Sequence, residues 1–593
     1  MKKQILICLL GLLCLPISIT TAQVADSPGA DFLHRSSPSV PFGLRDTHRG
    51  GETRSDTLPE QNGLVDHSVA KGQEGESSSA SVGPDPGLGN NAVIWGRVSE
   101  YSERSQIQLI VYPDYFFTGA KAPRSNHLFL QLQPGNLMEG GYPKDKSFQY
   151  NLAAHGTQWF SLSLNDGNPF MELYRIDPND SIQLFLDLES SYLVFGGKSR
   201  EQFKLQQGLF ELQREQIANT VPTLWTPNPR KVLENPDFAK QRESAISSAG
   251  PVLEIRSRDL ELLQELEKLD LYSPSGSLKA YWEYIDSYTG KVSESYLDFF
   301  RKEVELREWK NYLNQLSGHL RFARRSGEQG DFLDGLLALS REKLDQAEGS
   351  LELDLDKRSA AAMDYFAAKM KLWSAVNDEE PLEGISSINL AYWREKFLVR
   401  YFYESFGNIP LAEGRLKDFI ADMKYSHFAQ ELRTLESLKG KGVVIEGFEF
   451  LDESGNTLQW DKVAKGEVIL IEFWISGCKA CVAFNEQTLS VLEEKYEGDP
   501  RVQVITVSAD FDTELWQRSL QSGRYTQSGF TNLYTGKENR NHPFLIRYGI
   551  SSFPNRILIN REGRFIQTSQ VPFLAPDLIA LIEHELNQNP PKP

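Results

Sequence analysis

The sequence predicts a multidomain protein in which an N-terminal β-sandwich and an α-helical middle region precede a C-terminal α/β domain. Three observations carry that prediction. At 593 residues the chain is too long for one hydrophobic core. Its apolar residues alternate with period two from about residue 92 and shift to a helical period near residue 199. Beyond about residue 440, strand-like and helix-like segments follow one another, as an α/β domain requires.

Residues 1–22 read as a secretory signal. Lys2, Lys3 and Gln4 open the chain, an apolar stretch from Ile5 to Ile19 is broken by Pro16, and Thr20-Thr21-Ala22 supply small residues before a cut. The run is shorter than the ~20 residues of a spanning helix, so export is expected and the mature chain is expected in the periplasm. Leu13 stands where lipid-attachment sites carry a small residue, which argues against lipid anchoring at Cys14. Residues 23–91 are rich in Ser, Gly, Pro and charge, as in Gly75-Glu76-Ser77-Ser78-Ser79, and read as a disordered tether.

Residues 92–198 read as the β-sandwich. Ile107, Leu109 and Val111 are interleaved with Gln106 and Gln108, and Phe160, Leu162 and Leu164 with Ser161 and Ser163, which means antiparallel strands with one buried face. Residues 199–440 read as helical: Leu297, Phe300 and Val304 share a face, as do Met363, Phe366, Met370 and Trp373. Such stripes read as helix-packing cores, and charge runs such as Arg301-Lys302-Glu303 as solvated faces.

A net charge of -18 and a pI near 5.2 oppose phosphate backbones and anionic lipid, so no nucleic-acid partner is expected. Cysteine usage is more telling. Cys8 and Cys14 leave with the signal, so of four cysteines the mature chain keeps Cys478 and Cys481. An exported protein with no other thiol has no separate structural disulfide, and this one pair demands an explanation. It sits between the continuous apolar run Val468-Ile469-Leu470-Ile471-Glu472-Phe473-Trp474, which fits a central strand, and a helical stretch from Val482 to Tyr496 with Phe484, Leu489 and Leu492 available to pack. A hairpin around Asp452-Glu453-Ser454-Gly455 precedes the strand. Val502 to Ser508 reads as a strand, Asp512 to Gln521 as a helix, and an extra unit lies near Phe530 to Tyr548. Ser551-Ser552-Phe553-Pro554 then leads into strands at Arg556 to Ile559 and Arg564 to Gln567, joined by Asn560-Arg561-Glu562-Gly563.

Strand, CxxC, helix and a late Phe-Pro make residues 441–593 resemble a thioredoxin-like domain of the exported type, related to the TlpA-like and cytochrome-maturation reductases. Residues 92–198 in turn resemble the small β domain that precedes many such proteins of Bacteroidota, with a strand, a proline-containing turn and a second strand from Tyr174 to Leu186. In this context Cys478, at the first turn of a helix, faces unpaired N–H groups and the positive end of the macrodipole, which favour its thiolate as the nucleophile. Cys481, one turn on, attacks the mixed disulfide and releases the product. Glu472 occupies the place of a buried acid that takes the Cys481 proton through water. The resemblance implies that Pro554 is a cis-proline facing the pair, with the Phe553 backbone pairing with an extended substrate. Trp474, Lys479 and Ala480 complete the expected substrate-binding residues.

The pattern departs from the family at Gly477, where a tryptophan is usual, and at the Lys479-Ala480 dipeptide, which lacks the common proline, so a more open rim is expected. No metal or other cofactor is expected: a zinc site would need two ligands beyond the CxxC, and His542 and His584 are the only histidines of the domain. The peroxiredoxin alternative lacks its Pro-Thr-Cys context. The functional expectation is a periplasmic thiol-disulfide oxidoreductase, a reductase of protein disulfides, with protein disulfides or thiols as substrates and an electron donor in the membrane. The competing expectation is an envelope protein whose β and helical regions bind a partner or glycan, with a secondary redox domain.

Overall fold

The structure is a computed structural model that describes residues 91–588 except 100–104, 119–121, 124, 135–144, 154–155, 164–168, 188–191, 221–222, 237, 240–253, 274–275, 352–354, 411 and 446. The signal and tether expectations lie outside the described residues. Among the described residues no helix is long and apolar enough to cross a membrane.

Strands β1 (Ala92–Ser99), β2 (Gln106–Tyr112), β3 (Asn126–Gln131), β4 (Gln133–Pro134), β5 (Lys146–Leu152), β6 (Gln158–Ser163), β7 (Pro169–Ile176), β8 (Ser181–Asp187) and β9 (Tyr192–Gly196) form two sheets. Their orders are β4-β5-β1-β8-β9 and β3-β2-β6-β7. Alternation turns Ile94, Val98, Ile107, Leu109, Phe160 and Leu162 into one buried layer. Two features depart from a purely antiparallel reading. β1 pairs parallel with β8, because the chain visits the other sheet between them. They approach so closely that a Cβ at Gly96 would lie 2.4 Å from the Leu184 carbonyl oxygen. In addition, β7 and β8 lie in different sheets, so the turn Asp177 to Asp180 is a crossing and not a hairpin. The Asp180 carboxylate closes it, accepting from the Asp177 N–H and the Ser199 hydroxyl, each at 2.7 Å.

Helix α1 (Arg200–Asn219) begins where β9 ends and places Phe203 in the sandwich core but Leu205 and Leu209 in the helical core. In α2 (Glu294–Arg325) and α3 (Ala361–Asn377) the apolar stripes are buried, with Trp373 only half-buried over Gly384. The charge run behaves differently from a solvated face. Arg301 does stay outside, paired with Asp286, Glu294 and Asp298. Glu303, however, is 4% exposed, because it falls on the same side as Phe300 and Val304, and it accepts the Ala361 N–H at 3.0 Å. Burial pushes its carboxyl up to about 7, opposed by the Ser359 hydroxyl and the Ala361 N–H. Helix α4 (Ala391–Ser405) ties this region to the sandwich: buried Lys396 pairs with Asp114 at 2.6 Å, and Trp159 donates its Nε1–H to the Arg358 carbonyl at 2.9 Å.

Strands β10 (Thr223–Thr226) and β11 (Glu254–Ser257) pair in parallel within the helical region. The C-terminal domain is built on a sheet of seven strands: β12 (Glu449–Leu451), β13 (Thr457–Gln459), β14 (Val468–Trp474), β15 (Val502–Ser508), β16 (Thr531–Tyr534), β17 (Asn555–Asn560) and β18 (Phe565–Gln567). Their order is β13-β12-β16-β15-β14-β17-β18. β14 runs parallel to β15 and antiparallel to β17, and every one of its residues is buried. Each large apolar side chain so placed contributes about 1.5–3 kcal/mol. The pleat sends Ile469, Ile471 and Phe473 to one layer, with Phe544 and Tyr548, and Val468 and Leu470 to the other. That second layer holds α5 (Lys479–Phe484), which continues through a wide π turn at Asn485–Leu489 to Ser490–Tyr496, and the last helix, α7 (Ala575–Gln588). Between them α6 (Thr513–Gln521) is capped by the Asp512 carboxylate, which accepts the Leu515 N–H.

Candidate active site

The site stands where β14 ends. Ser476 and Gly477 leave the strand in a loop that two partners fix. The Asp510 carboxylate accepts the Ser476 N–H and hydroxyl, each at 2.7 Å, and the Ser508 hydroxyl at 3.0 Å. The Tyr525 hydroxyl accepts the Gly477 N–H at 2.8 Å. Gly477 has φ +81° with nothing within 4 Å of an added Cβ, so this position needs glycine for its backbone and leaves the rim open beside the cysteines.

Cys478 is the N-cap of α5. Its sulfur accepts the Cys481 N–H at 3.0 Å, is joined to Cys481 in a disulfide, and is half-buried while Cys481 is wholly buried. A thiolate released at Cys478 therefore faces the positive end of a helix from a position open to a second molecule. The Phe553–Pro554 peptide bond is cis, and the Phe553 carbonyl oxygen lies 3.6 Å from the Cys478 sulfur. An extended segment reaching Cys478 thus passes beside the Phe553 backbone.

Glu472 has no exposed surface, and neither of its carboxyl oxygens has a hydrogen-bond partner. Pleating places it on the same side of the sheet as Leu470 and the helix of the cysteines. Burial raises its pKa well above the usual carboxylate value, and the Arg556 guanidinium opposes this. Arg556 is its cross-strand neighbour and is held by two bonds to the Val571 carbonyl, at 3.1 and 3.0 Å, and by the rings of Phe484 and Phe573. Trp474 differs from its expected role as a substrate contact. It is fully buried and stacked on Tyr525, ring centroids 5.0 Å apart, so it supports the site from below. Lys479 and Ala480 are exposed on the first turn of the helix. His542 is structural: its ring nitrogens meet the Glu449 carbonyl at 2.9 Å and the Phe544 N–H at 3.2 Å, and it stacks on Phe450.

Sequence reasoning missed Asp510, Tyr525 and Arg556. Asp510 left one local trace, a polar Ser508-Ala509-Asp510 at the carboxyl end of an apolar strand, where open α/β sheets place their sites.

Fold and site together define residues 441–588 as a thioredoxin-like domain with the redox pair of a thiol-disulfide oxidoreductase. Residues 466–565 match the family described as thioredoxin-like. No curated protein matches the chain. Among solved structures, the thioredoxin domain of a thiol-disulfide oxidoreductase from Bacteroides vulgatus is 23% identical over 24% of this chain and 96% of that one, TM-score 0.22. A thiol:disulfide interchange protein from a Bacteroides species is 23% identical over 25% and 91%, TM-score 0.22. A thiol-disulfide oxidoreductase from Bacteroides fragilis is 19% identical over 23% and 96%, TM-score 0.21. These similarities cover about a quarter of the chain.

Proposed function

We propose that the protein is an exported, periplasmic reductase of protein disulfides of the TlpA-like kind. The observation that carries this reading is the placement of the two sulfurs: Cys478 half-exposed at a helix N-terminus beside the Phe553 carbonyl, Cys481 buried beneath it. The Cys478 thiolate attacks a substrate disulfide and forms a mixed disulfide, expelling one substrate thiolate. Cys481 then attacks Cys478, releasing the second substrate thiolate and leaving the Cys478–Cys481 disulfide. Glu472, in its ionised form, accepts the Cys481 proton through water, and an electron donor in the membrane reduces the pair again.

Equilibration of the full chain with dithiothreitol and glutathione buffers tests the direction of electron flow. A reductase requires a potential near the reducing end of the known CxxC range, about -270 mV, and a value near about -120 mV overturns it. Cys478→Ser should abolish disulfide reduction while Cys481→Ser accumulates the mixed disulfide, which mass spectrometry reads directly. Mass analysis of the mature N-terminus tests export, with cleavage after Ala22 expected.

A further inference from the structure

Three side chains at the mouth of the site remain without a role. Phe511 follows the loop-clamping Asp510 and is 63% exposed, which is unusual for a phenylalanine. Arg540, exposed at the end of the turn Gly536–Asn541, places its guanidinium carbon 5.2 Å from the Phe511 ring and 5.9 Å from the Phe553 ring. Phe553 is the residue whose carbonyl touches the Cys478 sulfur. The residue before Arg540 is strained: Asn539 has φ 45° and ψ -122°, a backbone state that side chains rarely adopt and that clusters at functional sites.

The charges around Arg540 leave it unmatched. Among the described residues no carboxylate lies within ion-pair distance of it, and the nearest acid in sequence, Glu538, is turned to His542 at 3.8 Å. Aromatic rings engage the faces of a guanidinium and leave its N–H edges free, and those edges match a carboxylate in bidentate fashion.

We infer that Phe511, Arg540 and Phe553 form a substrate subsite that receives an acidic residue flanking the target cysteine of an extended protein segment. Arg540 is the specificity residue, the rings hold it, and the turn at Asn539 presents it. The inference rests on the disulfide-reductase reading. Selectivity enters at the first step: the Cys478 thiolate attacks the peptide sulfur, the sulfur–sulfur bond breaks with a thiolate leaving, and the carboxylate is bound while the mixed disulfide forms.

The probes are two peptides that differ only in Glu or Gln beside a single cysteine, each blocked as a mixed disulfide with methanethiol. The full chain, reduced beforehand with dithiothreitol and freed of it, is mixed with each, and the rate of peptide thiol release is followed. The wild type should favour the Glu peptide by about threefold at low salt, the scale of an exposed charge pair, with the preference lost at about 1 M salt. Arg540→Gln should bring the ratio to about one without slowing the Gln peptide, Arg540→Glu should invert it, and Arg540→Lys should retain part of it. A wild-type ratio of one, or a ratio unmoved in Arg540→Gln, overturns the subsite while leaving the redox reading intact. Equal slowing of both peptides in Arg540→Gln also overturns it, since that marks a structural role. Failure of the redox reading looks different: neither peptide reacts, or Cys478→Ser reacts like the wild type.

Discussion

Glu472 shows how one residue sets both a cost and a chemistry. A carboxyl with no exposed surface and no hydrogen-bond partner opposes its own ionisation, and Arg556 on the next strand only partly restores the charged form. The sign of the stability effect follows from linkage. A carboxyl whose pKa rises on folding keeps its proton where the unfolded chain has lost it, so its contribution is full below the usual carboxylate range and falls as pH rises through it. Urea unfolding of the C-terminal transition should therefore show Glu472→Gln gaining stability over the wild type at about pH 8 and little at about pH 5. The same variant should slow resolution of the mixed disulfide at Cys481 by about 100-fold, the lower end of what a positioned proton acceptor contributes, while attack by Cys478 stays near the wild-type rate. Equal slowing of both steps would contradict the assignment.

At the scale of elements, the strands and helices that carry the cysteines were legible in the sequence, and the loop that aims them was not. Val468 to Trp474 is a nearly continuous apolar run buried on both faces, Val502 to Ser508 is a run of valines and isoleucine interrupted by Gln503 and Thr506 whose last five residues are buried, and each forms a strand with those bounds. The loop at Ser476 and Gly477 is instead fixed by Asp510 and Tyr525, which are 34 and 48 residues further on, contacts that no local period encodes. The crossing of β7 to β8 between sheets and the burial of Glu303 escaped for the same reason, since a strand pair or a charge run looks alike whichever partner covers it. Asp510→Ala should cost about 2–4 kcal/mol in urea unfolding, because it leaves the Ser476 N–H and two hydroxyls without their acceptor. It should also slow the attack by Cys478, a loss that Asp510→Asn restores in part. Glu303 gives a separate test in the helical region. Its carboxyl, at about 7 in the folded chain, withdraws stability as pH rises from the usual carboxylate range through neutrality. Glu303→Gln should flatten that part of the pH–stability curve, and a curve of unchanged slope would refute the assignment.

Across the whole molecule, polar contacts join the three regions. Lys396 and Asp114 join the sandwich to the helices, and a short stretch after β18 joins the redox domain to them. There the Thr568 and Ser569 hydroxyls donate to the two oxygens of Glu413, at 3.1 and 3.0 Å, and the Gln570 N–H donates to the Gly407 carbonyl at 2.8 Å. Thr568 also reaches the Lys439 carbonyl, and Gln570 the Asn408 carbonyl. Ser569 is 2% exposed, so removing its acceptor leaves a buried hydroxyl unpaired, at about 1–3 kcal/mol. Because none of these bonds involves the cysteines, their loss should loosen the joint without removing a group from the chemistry. Hydrogen exchange of Glu413→Ala should show amides at 568–570 opening about tenfold faster or more, since about 1.4 kcal/mol is a factor of ten. The Cys478 amide region and the thiol-release rate should stay as in the wild type. Unchanged protection at 568–570 would mean that Glu413 does not hold the joint, and a slowed thiol release would mean that the helical region tunes the redox pair through it.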